Sequence, residues 1–184
     1  DCANGAASAI APELLRALGA DVTAISCAPN GVNINDQCGS THLEQLQKAV
    51  VECQADLGLA YDGDADRLQA VDQYGKVVDG DRLLLIFGEY LKEQGILAKD
   101  TVVITVMSNM GLKIALRERG IKTLETKVGD RYVIEGMKEK GAVLGGEQSG
   151  HVIFLDYMPT GDGQLSAIQL LSVMKKTGKP LSEL

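Results

Sequence analysis

One order of segments runs twice along this chain, and that repeat limits the fold more than any single residue does. The first half reads as a loop (Asp1-Cys2-Ala3-Asn4-Gly5), a helix, a strand, a longer loop, a helix, a strand, the acidic turn 62–67, another strand and a helix. The second half opens on Met107-Ser108-Asn109-Met110-Gly111 and follows the same order, with the polar turn 147–151 in the place of the acidic one. Apolar residues at helical spacing, such as Leu14, Leu15 and Leu18, predict helices over 9–18, 42–53, 81–94, 112–119, 131–140 and 164–176. Runs at 21–25, 56–60, 68–71, 101–106, 121–125, 142–144 and 151–155 read as strands. Alternating helices and strands predict an α/β fold of two similar small domains, 1–78 and 79–184, each a mostly parallel mixed sheet flanked by helices. One larger sheet with a chance likeness between its halves is the alternative. In the second unit a strand, 101–106, leads into the opening loop, whereas nothing precedes residue 1. A parallel sheet without that strand would leave backbone groups unpaired, so the natural chain is expected to extend upstream.

Composition narrows the partners. The formal net charge is −7 and no basic stripe occurs, which argues against nucleic acid. No run of eighteen apolar residues is present, so no transmembrane helix is expected, and the opening residues do not resemble a signal peptide. Cys2, Cys27, Cys38 and Cys53 show no C-x-x-C spacing, and His42 and His151 are the only histidines. That is a poor set for zinc and fits reduced thiols in a cytoplasmic protein.

The acidic turn carries the sharpest chemistry. Asp62, Asp64 and Asp66 alternate in Tyr-Asp-Gly-Asp-Ala-Asp-Arg. Two carboxylates ~5 Å apart repel by about 3 kcal/mol at an effective dielectric near 20, so a cation is the natural companion of such a cluster. Three hard oxygen donors select Mg²⁺, Ca²⁺ or Mn²⁺. In a straight strand the outer two acids would lie ~13 Å apart, so the loop must curl, which Gly63 and Ala65 permit. An EF-hand needs Gly at its sixth position and Glu at its twelfth; Arg67 and Gln73 stand there, between strand-like flanks. A phosphatase with Asp62 as nucleophile and a solvated acidic turn are the other readings. Arg67 is either a charge balancer or a planar fork for phosphate or sugar oxygens.

The second turn, Gly145-Gly146-Glu147-Gln148-Ser149-Gly150-His151, gathers a carboxylate, an amide, a hydroxyl and an imidazole between glycines. Such a set suits sugar hydroxyls or an amine, and a plain polar turn is the alternative. Residues 108–111 open a helix and could hold an anion or merely cap it. Asp130 is a candidate cap for the helix 131–140.

Taken together, Asp62-Gly63-Asp64-Ala65-Asp66-Arg67 and Gly146-Glu147-Gln148-Ser149-Gly150-His151 resemble the metal and sugar loops of the α-D-phosphohexomutase superfamily. Residues 107–112, 127–133 and 35–42 look like its phosphoglucosamine mutase branch. The resemblance implies a four-domain enzyme of which this chain supplies the second and third. Neither the phosphoserine loop of the first domain nor the phosphate clamp of the last has a counterpart here, so the chain alone is expected to be inactive. It further implies that Asp62, Asp64 and Asp66 bind one Mg²⁺, that Arg67 is catalytic, and that Glu147, Ser149 and His151 hold a hexosamine phosphate. The implied reaction interconverts glucosamine 6-phosphate and glucosamine 1-phosphate through a 1,6-bisphosphate, toward UDP-N-acetylglucosamine and cell-wall precursors in a bacterial cytoplasm. A phosphomannomutase or phosphoglucomutase, or a non-catalytic sugar-phosphate or Mg²⁺-binding module, are the alternatives.

Overall fold

In the first unit the loops joining successive strands are only a few residues long, and this fixes how the strands pair. The computed structural model describes residues 1–184. Helices α1 (Ala7–Ala17) and α2 (Glu44–Glu52) precede strands β1 (Leu57–Tyr61), β2 (Leu68–Asp72) and β3 (Val77–Val78). The three strands form an antiparallel meander in the order β1-β2-β3, with Leu59 opposite Ala70 and Ala70 opposite Val78. A parallel pair needs a crossover of a dozen or more residues, which these connections lack. The expected parallel sheet is therefore not what β1–β3 make.

Residues 21–25, expected as a strand, run without a ladder. At their end, Cys2 N–H donates to the Ile25 carbonyl (3.1 Å) and Asn4 N–H to that of Ser26 (2.7 Å). On its other side Asp1 donates its amine to the Leu59 carbonyl and accepts from Tyr61 N–H. The opening residues thus lie between the 25–26 segment and β1. Below them an apolar groove of about 480 Å³, lined by Leu15, Ile25, Leu46, Val50, Leu57 and Leu59, separates 21–25 from the sheet.

The second unit follows the expected plan. It contains α3 (Gly80–Glu93), β4 (Thr101–Thr105), α4 (Met110–Glu118), β5 (Lys122–Thr126), α5 (Asp130–Lys140), β6 (Leu144–Gly146), β7 (Val152–Phe154) and α6 (Gly163–Thr177). Its sheet runs β5-β4-β6-β7, with β4 parallel to β5 and β6, and β7 antiparallel to β6. The helices are capped as their sequences suggest. Asp79 accepts from Arg82 N–H at α3, and Asp162 accepts from Gln164 and Leu165 N–H at α6. Gly141 and Gly178 end α5 and α6 in the left-handed conformation.

The two sheets share their main core, and each also has a smaller apolar cluster of its own. One apolar cluster of 24 buried residues takes in Ala7, Tyr61 and Leu68 from the first unit and Phe87, Leu144 and Leu170 from the second. Phe87 and Phe154 meet edge-to-face at 4.9 Å within it. Helix α6 packs on β2 as well as on α3, so the first sheet rests on an element of the second unit. This common core brings the β1–β2 turn against the β6–β7 turn. All four cysteines are free, and burial pushes the Cys2 thiol up to about 12. No helix is long and apolar enough to cross a membrane.

Candidate active site

The acidic turn joins β1 to β2, and its curl comes from the backbone. Ala65 N–H donates to the Asp62 carbonyl (3.1 Å), and Ala65 itself is left-handed, with φ of +64°. Two outside amides fasten the loop: Ala6 N–H on the Gly63 carbonyl (2.8 Å) and Gly163 N–H on the Ala65 carbonyl (3.0 Å). The result gathers one oxygen each from Asp62, Asp64 and Asp66 within 4.8 Å of one another. Asp62 is buried and Asp64 exposed. Burial first, then the neighbouring Asp66 carboxylate, pushes the Asp62 carboxyl up to about 6, against the pull of Arg67 N–H.

These residues fit a hard divalent ion. An octahedral Mg²⁺ with bonds of ~2.1 Å needs oxygens roughly 3 to 4 Å apart, within a small rotamer adjustment of this cluster. Asp66 Oδ1 is buried and has no hydrogen-bond partner. An orphaned carboxylate oxygen is costly, and a cation would satisfy it. Arg67 Nε lies 3.7 Å from Asp62 Oδ2 and 3.8 Å from Asp66 Oδ1, in ion-pair range but beyond a hydrogen bond. Arg67 therefore balances the acids through Nε, while its side chain is 44% exposed.

The polar turn occupies the matching place between β6 and β7. Glu147 N–H donates to the His151 carbonyl and Gly150 N–H to that of Glu147, both at 3.0 Å. The Glu147 carboxylate accepts from Gly129 N–H at 2.9 Å, which aims it across the sheet end. Ser149 Oγ is shielded and unpartnered. A cleft of about 470 Å³ is lined by Glu147, Gln148 and Ser149 together with Ser40, Gln69 and Asp79. His151 does not share this outlook. It is 2% exposed, with Nδ1 3.0 Å from Asp66 Oδ2 and Nε2 accepting from Gly161 N–H at 3.1 Å. Both ring nitrogens are engaged, and the ring is turned into the protein rather than toward the cleft.

The two turns meet along a backbone seam. Leu68 N–H donates to the Gly150 carbonyl (3.0 Å), and Gln69 Nε2 donates to that of Gln148 (3.1 Å). Sequence reading missed three participants here. Asp130 lies in the first turn of α5, behind Gly129 at the N-cap, and its Oδ2 is 3.4 Å from His151 Nε2; it does not cap the helix. Ser40 and Gln69 line the cleft from the other unit; Ser40 lies in the stretch 35–42, but nothing there marks it as a cleft residue, and no pattern marks Gln69. Asn109, by contrast, caps α4, its side chain accepting from Gly111 N–H (2.7 Å).

Comparison with known proteins agrees with this arrangement. Residues 1–75 match the family model for phosphoglucomutase/phosphomannomutase alpha/beta/alpha domain II, and residues 79–184 match that for domain III. The chain belongs to the phosphoglucomutase/phosphomannomutase family. Over all 184 residues it is 61% identical to phosphoglucosamine mutases of Pelotomaculum thermopropionicum and of Shouchella clausii. It spans 41% of the length of each. A solved phosphoglucomutase/phosphomannomutase family protein from Burkholderia thailandensis is 30% identical, with a TM-score of 0.83 over 99% of this chain and 40% of its own. The N-acetylphosphoglucosamine mutase of Aspergillus fumigatus, solved with GlcNAc-6P and magnesium, shares the fold at 18% identity, with a TM-score of 0.77 over all of this chain and 43% of its own. The acidic turn falls within the first matched stretch and the polar turn within the second.

Proposed function

We propose that this chain forms the metal- and sugar-binding centre of a phosphoglucosamine mutase, interconverting glucosamine 6-phosphate and glucosamine 1-phosphate. The observation that carries this reading is the seam itself: a cation-sized cluster of three acids abuts a polar turn that opens on a sugar-sized cleft. The relatives named phosphoglucosamine mutase support the glucosamine preference, and the fungal neighbour solved with GlcNAc-6P and magnesium supports both ligand classes. On this reading Asp62, Asp64 and Asp66 hold Mg²⁺, which when bound would stabilise negative charge on a transferring phosphoryl group. Arg67 brings positive charge to the same edge. Glu147 and Ser149 bind the hexosamine ring, with the Glu147 carboxylate matched to an amine or hydroxyl. The phosphoserine that exchanges its phosphoryl group through a 1,6-bisphosphate is assigned to a part of the enzyme outside these 184 residues. The product feeds UDP-N-acetylglucosamine synthesis in the cytoplasm.

Two substitutions in the full-length enzyme test this. Asp64 is exposed, so Asp64→Asn is expected to leave the fold intact while lowering turnover on the order of 10²–10³-fold, the range for losing one charge-stabilising group. Near-normal turnover would remove the metal role. Glu147→Ala is expected to raise KM for glucosamine phosphate or lower turnover; unchanged kinetics would take Glu147 out of the site.

A further inference from the structure

His151 is the one polar-turn residue that faces away from the cleft, and its hydrogen bonds assign it a different task. The backbone amide of Gly161 can only donate, and it points at Nε2 from 3.1 Å. Nε2 must therefore present its lone pair. The ring proton then sits on Nδ1 and is donated to Asp66 Oδ2 at 3.0 Å. Asp130 Oδ2, 3.4 Å from Nε2, faces a lone pair with a lone pair and makes no hydrogen bond there. The ring also packs closely against Gly161. A Cβ on Gly161 would lie 2.5 Å from both Cε1 and Nε2, so the imidazole is stacked flat against a residue that only glycine can supply. With Oδ2 held by the ring, the other Asp66 oxygen, Oδ1, is buried and unpartnered.

We infer that His151 is a positioning residue for the metal ligand Asp66: the Gly161–His151 relay fixes the carboxylate plane so that Oδ1 faces the cation. Metal ligands are commonly oriented by a hydrogen-bonded outer shell, and losing such a partner typically weakens metal binding 10- to 100-fold. Here the outer shell comes from the second unit and the ligand from the first. The polar turn therefore sets the geometry of the acidic turn as well as lining the cleft. This inference rests on the reading of the three acids as a divalent cation site.

The test measures Mn²⁺ binding to the full-length protein by electron paramagnetic resonance. It compares wild type with Asp64→Asn, His151→Ala and His151→Asn. His151→Ala removes the donor and is expected to weaken Mn²⁺ binding 10- to 100-fold. His151→Asn sets an amide N–H near the position of Nδ1 and is expected to recover affinity to within about threefold of wild type. At saturating metal, KM for hexosamine phosphate should stay within about twofold in His151→Asn. Mn²⁺ affinity unchanged in His151→Ala, with loss in Asp64→Asn, would overturn the positioning role alone. No Mn²⁺ binding to wild type would overturn both this inference and the cation reading beneath it. A second readout needs no metal: with only two histidines, long-range ¹H–¹⁵N spectra should show His151 protonated on Nδ1. Protonation on Nε2 instead would overturn the relay.

Discussion

Ala65 carries a conformational cost that the rest of its loop depends on. At φ of +64° its Cβ crowds the neighbouring carbonyl, which costs an L-residue about 1–2 kcal/mol. The turn needs that conformation, because it brings Asp66 back toward Asp62 and presents the Ala65 carbonyl to Gly163 N–H. Glycine adopts it without strain but loses more chain entropy on folding, and the Ala65 methyl packs against the core. The strain relief is the largest of these terms. Ala65→Gly is therefore expected to stabilise the protein by a few tenths to about 1 kcal/mol, with divalent-ion affinity unchanged. A lower urea midpoint would show that the methyl contact outweighs the strain. At the same scale, the residue types of Asp62, Asp64, Asp66 and Glu147 were legible in the sequence because their chemistry is concentrated within single loops. The role of His151 was not. Its neighbours Asp66 and Gly161 are 85 and 10 residues away, and only the folded backbone shows that the ring faces inward.

Between elements, the seam is governed by how closely α3 approaches the polar turn. Gly80, in the first turn of α3, donates its N–H to the Gln148 carbonyl at 3.1 Å. A Cβ there would stand 2.6 Å from Gly150 N and 2.7 Å from the Gln148 carbonyl oxygen, all backbone that cannot rotate away. Helix propensity alone predicts that Gly80→Ala stabilises α3 by up to about 1 kcal/mol. The overlap reverses that sign. Gly80→Ala is expected to destabilise the protein by roughly 1–3 kcal/mol, the usual range for overpacking, and to raise KM for hexosamine phosphate by shifting Gln148 and Ser149. A stabilised variant would mean that the two elements are free to separate. Pattern reading recovered the helices and the second sheet, because their apolar spacing is regular and their caps are standard. It misjudged the first sheet by extending parallel pairing to β1–β3, which are antiparallel. The second unit has helical crossovers between its parallel strands, whereas residues 62–67 and 73–76 are too short for any, and residues 21–25 have a groove beside them where the second unit has β4.

At the scale of the whole molecule, the clustered acids couple stability to pH and to metal. The Asp62 carboxyl is pushed up to about 6 from an ordinary value near 3.8, chiefly by burial, and burial moves Asp81 in the same direction. Between about pH 4 and 6 the folded chain therefore keeps a proton on Asp62 that the unfolded chain has released. Stability falls with rising pH wherever the folded state binds more protons, so this contribution is fully present below about pH 4 and gone above about pH 6. Other carboxylates impose slopes of their own, so the signal is the difference between wild type and Asp62→Asn. Without metal, the stability of wild type relative to Asp62→Asn should fall steadily as pH rises across the window in urea unfolding of the 184-residue chain. A divalent ion binds the ionised cluster, so its stabilisation should grow as pH rises. Mg²⁺ at about a hundred times its dissociation constant would then stabilise by about 2.7 kcal/mol at pH 7.5, and the same concentration by clearly less at pH 5. Asp62→Asn should lose most of the shift at both. Equal stabilisation of wild type at pH 5 and pH 7.5 would mean that the ion binds without displacing the Asp62 proton. The acidic triplet would then not be what holds it.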